Sequence, residues 1–250
     1  MTTMTMSTTA TITEIAEDIF RICNYVAPFD LGFNTFLIRD EEPLLFHTGL
    51  NMLFAENNEA VGSLIDPTDL RWIAFSHYEA DECGALNRWM MQAPESTALC
   101  SAVAKRVSVD DVSLRPAREL MDGETVVTGK HRLRFLQTPH VPHGWDAGMM
   151  FDELTGTLFC SDVGTHHGNA AAVVTSGLGE LTRLGIGRYV GTPMDHVHAW
   201  THKTEGVLHR LADLEPKTLA IMHGSSFQGD CREALGEVAE VWREVLGGTC

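Results

Sequence analysis

Long apolar runs are missing from this sequence. No stretch of its 250 residues approaches the ~20 apolar positions that cross a bilayer, so a membrane-spanning protein is not expected. Positive charge is scarce as well: 18 Lys and Arg stand against 34 Asp and Glu, a formal net charge of −16. Such a surface repels phosphate backbones and anionic lipid heads, which argues against nucleic acid and membrane surfaces as partners. Cys-x-x-Cys pairs are absent. The six cysteines (Cys23, Cys83, Cys100, Cys160, Cys231 and Cys250) are scattered in the manner of reduced thiols rather than a disulfide framework. The N-terminus lacks the basic start and apolar core of a secretory signal, so a cytoplasmic location is expected. No internal repeat, charge block or Pro/Gly/Ser linker divides the chain. The expectation is a weakly structured tail over residues 1–11, rich in Thr and Met, and one folded domain over residues 12–250.

What is present is a packed core: 44% of the residues are hydrophobic. β-Branched and aromatic residues recur in short extended segments, Thr35–Arg39, Pro43–Phe46, Trp72–Ser76, Arg132–Gln137, Gly148–Phe151, Thr157–Cys160 and Thr218–Met222. Turn-forming stretches such as Met121-Asp122-Gly123-Glu124 separate them. Helices are expected over Ala85–Gln92 and Asp230–Leu246. In the latter, Leu235, Val238, Val241, Trp242 and Val245 fall on one face. The isoleucines of Ile12–Cys23 suit a helix as well as a strand. Together these segments predict a mixed α/β domain.

The chemistry concentrates where apolar strands end. Trp72-Ile73-Ala74-Phe75 runs into Ser76-His77-Tyr78-Glu79-Ala80-Asp81-Glu82-Cys83-Gly84, and the alternate spacing of His77, Glu79 and Asp81 sends all three to one side of an extended loop. Three donors from one loop make a half-site for a divalent cation. The strand Arg132–Gln137 empties into His140 and His143 with Asp146, the strand Thr157–Cys160 into Asp162, and the strand Thr218–Met222 into His223. Four strands each delivering a donor at one end is the pattern of a metal site at the rim of a sheet.

The ordered set His77-x-Glu79-x-Asp81, His143, Asp162 and His223 resembles the metallo-β-lactamase superfamily. More narrowly, it resembles the diiron domain of flavodiiron proteins and the related oxygen-binding diiron proteins, over nearly the whole chain. The resemblance implies an α/β fold of the αββα sandwich type, with two metal ions at one edge of its two sheets. It implies that His77, Glu79 and His143 hold one metal, that Asp81 and His223 hold the other, and that Asp162 bridges both. Hydrolytic zinc members carry His-x-His-x-Asp-His in the first motif, whereas this chain has Glu79 and Glu82 in place of two of those imidazoles. Carboxylates harden the site and favour iron, with manganese or zinc as alternatives. Three carboxylates and three neutral imidazoles on two divalent ions leave one positive charge, which a bridging hydroxide could cancel.

The chain departs from the flavodiiron pattern directly after Asp81, where Glu82 and Cys83 replace His and Ser. Glu82 could ligate the second metal, hydrogen-bond a bound water or point into solvent. His140 is read as supporting rather than ligating, Asp146 as orienting His143 or another ligand, and His166 and His167 as solvated loop residues. His196, His198 and His202 cluster after Pro193 and could approach the metals, although the preferred reading keeps them clear. Cys83 is read as a small packed residue. The resemblance implies binding or reduction of O2 or NO. No FMN-binding segment follows His223, so electrons would come from a separate electron-transfer protein, or the site would act as an oxygen sensor. A homodimer is possible. The alternative is a metal-dependent hydrolase.

Overall fold

The computed structural model describes residues 9–247. Residues 1–8 of the expected tail lie outside the described residues, and Thr11 already opens the first strand. Among the described residues, fourteen strands form two sheets of seven. The first sheet holds, in chain order and spatial order alike, β1 (Thr11–Ala16), β2 (Ile19–Val26), β3 (Leu31–Ile38), β4 (Leu44–Phe46), β5 (Trp72–Ala74), β6 (Thr97–Ser101) and β7 (Arg118–Leu120). The second is built from β8 (Thr125–Val127), β9 (Arg132–Gln137), β10 (Gly148–Asp152), β11 (Thr157–Ser161), β12 (Val173–Val174), β13 (Thr218–Ile221) and β14 (Ser226–Phe227). Its spatial order is β12-β14-β13-β11-β10-β9-β8.

The ambiguous segment Ile12–Cys23 is a hairpin. Its side chains alternate: Ile15 and Ile19 enter the layer between the sheets, while Phe20 and Ile22 face the helices outside. Asp18 makes the turn at φ 52, a left-handed conformation that Asp tolerates better than most residues. A period of two, not 3.6, therefore governs the segment.

Between the sheets, Phe36 and Phe46 meet Phe159 at ring centroid distances of 5.7 and 5.1 Å. The helices Phe54–Gly62 and Leu86–Gln92 cover the outer face of the first sheet, where Phe54 meets the fully buried Trp89. The helices Leu178–Gly187, Thr204–Ala212 and Cys231–Leu246 cover the second sheet through Leu178, Leu208, Leu235, Val238 and Trp242. The result is the expected αββα sandwich. The last helix is capped by the Asp230 side chain, which accepts from the Glu233 N–H and so satisfies one orphan donor of the first turn. No helix among the described residues is long and apolar enough to cross a membrane.

Strand direction fixes where the ends gather. β4 runs parallel to β5, and β11 parallel to β13, so their C-terminal ends emerge at one rim. There the two sheets are tied together. The Gly148 N–H donates to the Ser76 carbonyl (2.8 Å), the Asn34 N–H to the Met222 carbonyl (3.0 Å), and Asn34 Nδ2 to the Ile221 carbonyl (2.8 Å). The Ser76 bond explains why β5 stops at Ala74 rather than at Ser76: the chain leaves its own sheet to reach the other.

Candidate metal centre

Each strand that reaches this rim hands on a polar side chain within a few residues. β5 leads to His77, Glu79 and Asp81, β9 to His143, β11 to Asp162 and β13 to His223. The first loop stays extended at Glu79 (φ −132, ψ 160), then turns into the short helix Ala80–Cys83. His77, Asp162 and His223 are buried, while the Glu79 side chain is 46% exposed.

These six side chains converge as two groups that share one member. In the first group, Nε2 of His77 and Nε2 of His143 lie 2.8 Å apart. Glu79 approaches His143 Nε2 at 3.2 Å and His77 Nε2 at 3.6 Å. Asp162 Oδ2 stands 3.8 Å from each of these two nitrogens. In the second group, His223 Nε2 lies 3.1 Å from Asp81 Oδ2 and 3.4 Å from Asp162 Oδ1. One Asp162 oxygen therefore faces each group. His77, His143 and Asp162 each offer a ligand atom within 4.8 Å of the others, the spread that a single ion can span.

The electrostatics report donors crowded together. Burial opposes a charge on His77, yet the carboxylates of Glu82, Glu79 and Asp162 push its imidazole up to about 10. Burial likewise opposes a charge on His223, which Asp81 and Asp162 raise to about 9. His143 also rises, against burial, through Glu79 and Asp162. Hydrogen bonds from His143 and His77 hold Glu79 well below the usual carboxylate range. Asp162 moves the other way: burial drives its carboxyl up to about 6 despite the pull of His223. Its Oδ1 is buried without a hydrogen-bond partner. A desolvated carboxylate oxygen that accepts no hydrogen bond is costly unless a cation meets it. Two imidazole nitrogens aimed at one point, and three carboxylates of which the shared one has an Oδ1 that accepts no hydrogen bond, fit a pair of divalent ions.

Behind the donors, other groups fix their aim. His223 Nδ1 donates to the Gly32 carbonyl (2.9 Å), leaving Nε2 toward the centre. Asp146 touches neither His143 nor any other imidazole of the six. Its Oδ2 accepts from the Tyr78 N–H (2.9 Å), holding the backbone between His77 and Glu79. His140 is exposed, at φ 66, and its N–H donates to the Gly144 carbonyl (2.7 Å), so it belongs to the turn that presents His143.

Three expectations need correction. Glu82 does not point into solvent, and it lies at His77 rather than in the second donor group. It is 1% exposed and lies beneath His77, accepting from Ser76, from Ser161 (2.8 Å) and from the His77 N–H (2.9 Å). The short helix after Glu79 rotates Asp81 toward the centre and its neighbour Glu82 away from it. His166 is not a solvated loop residue: it is buried, with Nδ1 on the Gly164 carbonyl and Nε2 accepting from the Ser225 N–H (2.9 Å). His198 does not stay clear. Its ring stacks on His143 at 5.6 Å, and burial lowers it to about 3, so it is neutral. His196 and His202 are exposed, and His167 is half-buried against Tyr189. Cys83 is buried, as expected.

Sequence reasoning passed over His47. It follows β4 as His77 follows β5, is fully buried at φ 65, and places Nε2 3.5 Å from Glu82 Oε1. The rule that a strand emptying into His marks this rim would have found it.

The centre opens into a cavity of about 260 Å³ whose apolar wall includes Phe29, Leu31, Phe33 and Val197. Burial pushes the hydroxyl of Tyr189, also on this wall, up to about 12. A space of this size suits a small ligand, with few polar groups beside the donors themselves.

A family model described as ODP family beta lactamase matches residues 31–224. The diflavin flavoprotein A 1 of Thermosynechococcus vestitus is 32% identical over 141 residues, which are 55% of this chain and 24% of that protein. The anaerobic nitric oxide reductase flavorubredoxin of Klebsiella pneumoniae is 29% identical over 143 residues, 54% of this chain and 29% of that protein. The matched region thus spans only about a quarter of these curated relatives. Among solved structures, rubredoxin oxygen:oxidoreductase from Desulfovibrio gigas superposes with a TM-score of 0.75 at 19% identity, over 92% of this chain and 61% of that one. The metal-soaked Flv1 flavodiiron core from Synechocystis sp. PCC6803 gives 0.77 at 19% identity, over 96% and 62%. At such identities the likeness is one of fold.

Proposed function

The chain belongs to the ODP beta-lactamase family, and from that premise we propose that it is a non-haem diiron protein that binds or reduces O2 or NO. The observation that carries the reading is Asp162, whose two oxygens face two separate donor groups. His77, Glu79 and His143 would hold one metal, Asp81 and His223 the other, with Asp162 between them. The three carboxylates favour iron over zinc. When bound, the metal pair supplies the electrons that a diatomic ligand takes up. The chain's own residues shape the rest. Phe33 stands edge-on to the His223 ring at 5.1 Å and, with Leu31, keeps bulk water from the second group. Tyr189 keeps its phenolic proton at neutral pH. Electrons would arrive from a separate protein, or the site would report O2 without turnover. The names of the flavorubredoxin and the oxygen:oxidoreductase support a diatomic substrate.

The test is elemental analysis of protein purified without oxygen, followed by O2 and NO consumption with a chemical reductant and mediator. About two irons per chain, with an absorption band appearing on exposure to either gas, is expected. Two zincs with turnover of a generic ester, and no response to either gas, would replace this reading with a hydrolase.

A further inference from the structure

The carboxylate that departs from the flavodiiron pattern is placed to control one imidazole. Glu82 is 1% exposed and can only accept hydrogen bonds while ionised. Three donors reach its two oxygens. The Ser76 hydroxyl and the His77 N–H meet Oε2, and the Ser161 hydroxyl meets Oε1. His77 Nδ1 lies 3.1 Å from Oε2 and 2.8 Å from Ser76 Oγ. Ser161 reaches Glu82 from a left-handed backbone (φ 54), at the register shift between β11 and β13. For a residue that is not glycine such a conformation is unfavourable, so the surroundings hold it there.

Counting protons settles the direction of each bond. A carboxylate donates nothing, so Ser76 and Ser161 both turn their protons toward Glu82. The Ser76 oxygen is then an acceptor on its other side, where it faces Ser161 Oγ (2.7 Å), whose proton is already turned to Glu82, and His77 Nδ1 (2.8 Å). Nδ1 must carry a proton, so once His77 is neutral the lone pair lies on Nε2, which stands 2.8 Å from His143 Nε2 in the first donor group. We propose that Glu82 is a positioning residue that, through Ser76, fixes the Nδ1–H tautomer of His77 and so reserves Nε2 for a metal. The proposal rests on the reading of His77 as a metal ligand. In Glu82→Gln the side-chain amide can donate to Ser76 Oγ. The Ser76 proton is then released toward Nδ1, which favours the tautomer that blocks Nε2. Loss of a group supporting a ligating His weakens metal affinity about 10- to 100-fold.

Zn2+, as a diamagnetic probe, makes the tautomer visible. In long-range 1H–15N spectra of the Zn2+-loaded full chain, His77 should coordinate through Nε2 and show a slowly exchanging Nδ1–H. Chelator competition should give Glu82→Gln a first-site affinity lower by about 10- to 100-fold. Ser76→Ala, in which Glu82 Oε2 can take the Nδ1 proton directly, should stay within about fivefold of wild type. Coordination of His77 through Nδ1 in wild type would overturn the proposal, and this measurement needs no variant to fold. So would an unchanged affinity and an unchanged Nδ1–H signal in Glu82→Gln. Failure of the underlying reading looks different: wild type itself would then hold no Zn2+ against a weak chelator.

Discussion

Asp162→Asn removes one charge from between the two donor groups while keeping the shape of the side chain, and on the proposed reading two opposite effects follow. With metal, the loss falls on both sites. A unit charge about 4 Å from another, at an effective dielectric constant near 20, is worth about 4 kcal/mol, or roughly a thousandfold in the affinity of each ion. Without metal, the same substitution should stabilise the fold. Burial raises the Asp162 pKa from its ordinary 3.8 to about 6. An acid whose folded pKa is raised lowers stability above that value, and the penalty vanishes below the unfolded pKa. Two units correspond to roughly 3 kcal/mol, which in a domain of this size is a melting shift of roughly 6–12 °C. Metal-free Asp162→Asn should therefore melt higher than metal-free wild type at pH 7.5, with the gap closing as pH falls toward 4. Calorimetry on chelator-treated proteins reads that gap, and elemental analysis of untreated proteins reads the metal. A variant that keeps two metals, or that melts below wild type in the metal-free state, would refute the assignment of Asp162 as the shared group.

Metal uptake should release protons, because His77 and His223 are raised to about 10 and about 9 and a metal must displace the proton from each. At pH 7.5 roughly two protons per chain should appear in titration calorimetry run in buffers of different ionisation enthalpy, and affinity should rise with pH up to about 9 at the second site and about 10 at the first. Gly224→Ala should lower stability and weaken the second site, since the backbone sits at φ 96 and a Cβ there would lie 2.5 Å from the His166 ring; chelator competition against wild type checks it. Asp152→Asn should cost about 3 kcal/mol in urea unfolding and leave metal content unchanged, because Asp152 is fully buried against His131 Nδ1 (3.0 Å) at the end of β10 remote from Gly148. Although burial opposes it, His131 and Thr155 hold the Asp152 pKa below 3.8. Its contribution is therefore present above about pH 4 and lost in acid, so the variant should show a shallower acid limb.

The fold was legible where a strand or helix carries its own pattern. β9 begins and ends where the sequence suggested, and the last helix differs by one residue, because Arg132–Gln137 alternates and Cys231–Leu246 has a single apolar face. The helices Phe54–Gly62 and Thr204–Ala212 were not legible: each is a single short helix with few buried side chains, and its burial depends on the sheet it covers. The convergence of the six donors was legible because each lies in a segment that leaves the end of a strand, within seven residues of it. The place of Glu82 was not. One helical turn decides whether residue 82 faces the centre or the core, and a run of adjacent acids carries no sign of that rotation.

That rotation makes the two donor groups unequal. The first has three side chains of its own, His77, Glu79 and His143, whereas the second has Asp81 and His223, and each takes one oxygen of Asp162. In a site where residue 82 were an imidazole aimed at the centre, the second group would match the first. Here that position is spent beneath His77, so on the proposed reading the second metal keeps more of its coordination sphere free. The cavity is lined by donors of both groups, Glu79 and His143 as well as Asp81 and His223, and on the side of the second group Phe33 stands edge-on to His223. An open position facing an apolar space of about 260 Å³ suits a small, weakly hydrated molecule better than a charged ester or phosphate. The same residue that tightens one half of the site thus leaves the other half free for the ligand, which ties the departure at Glu82 to the chemistry proposed for the whole.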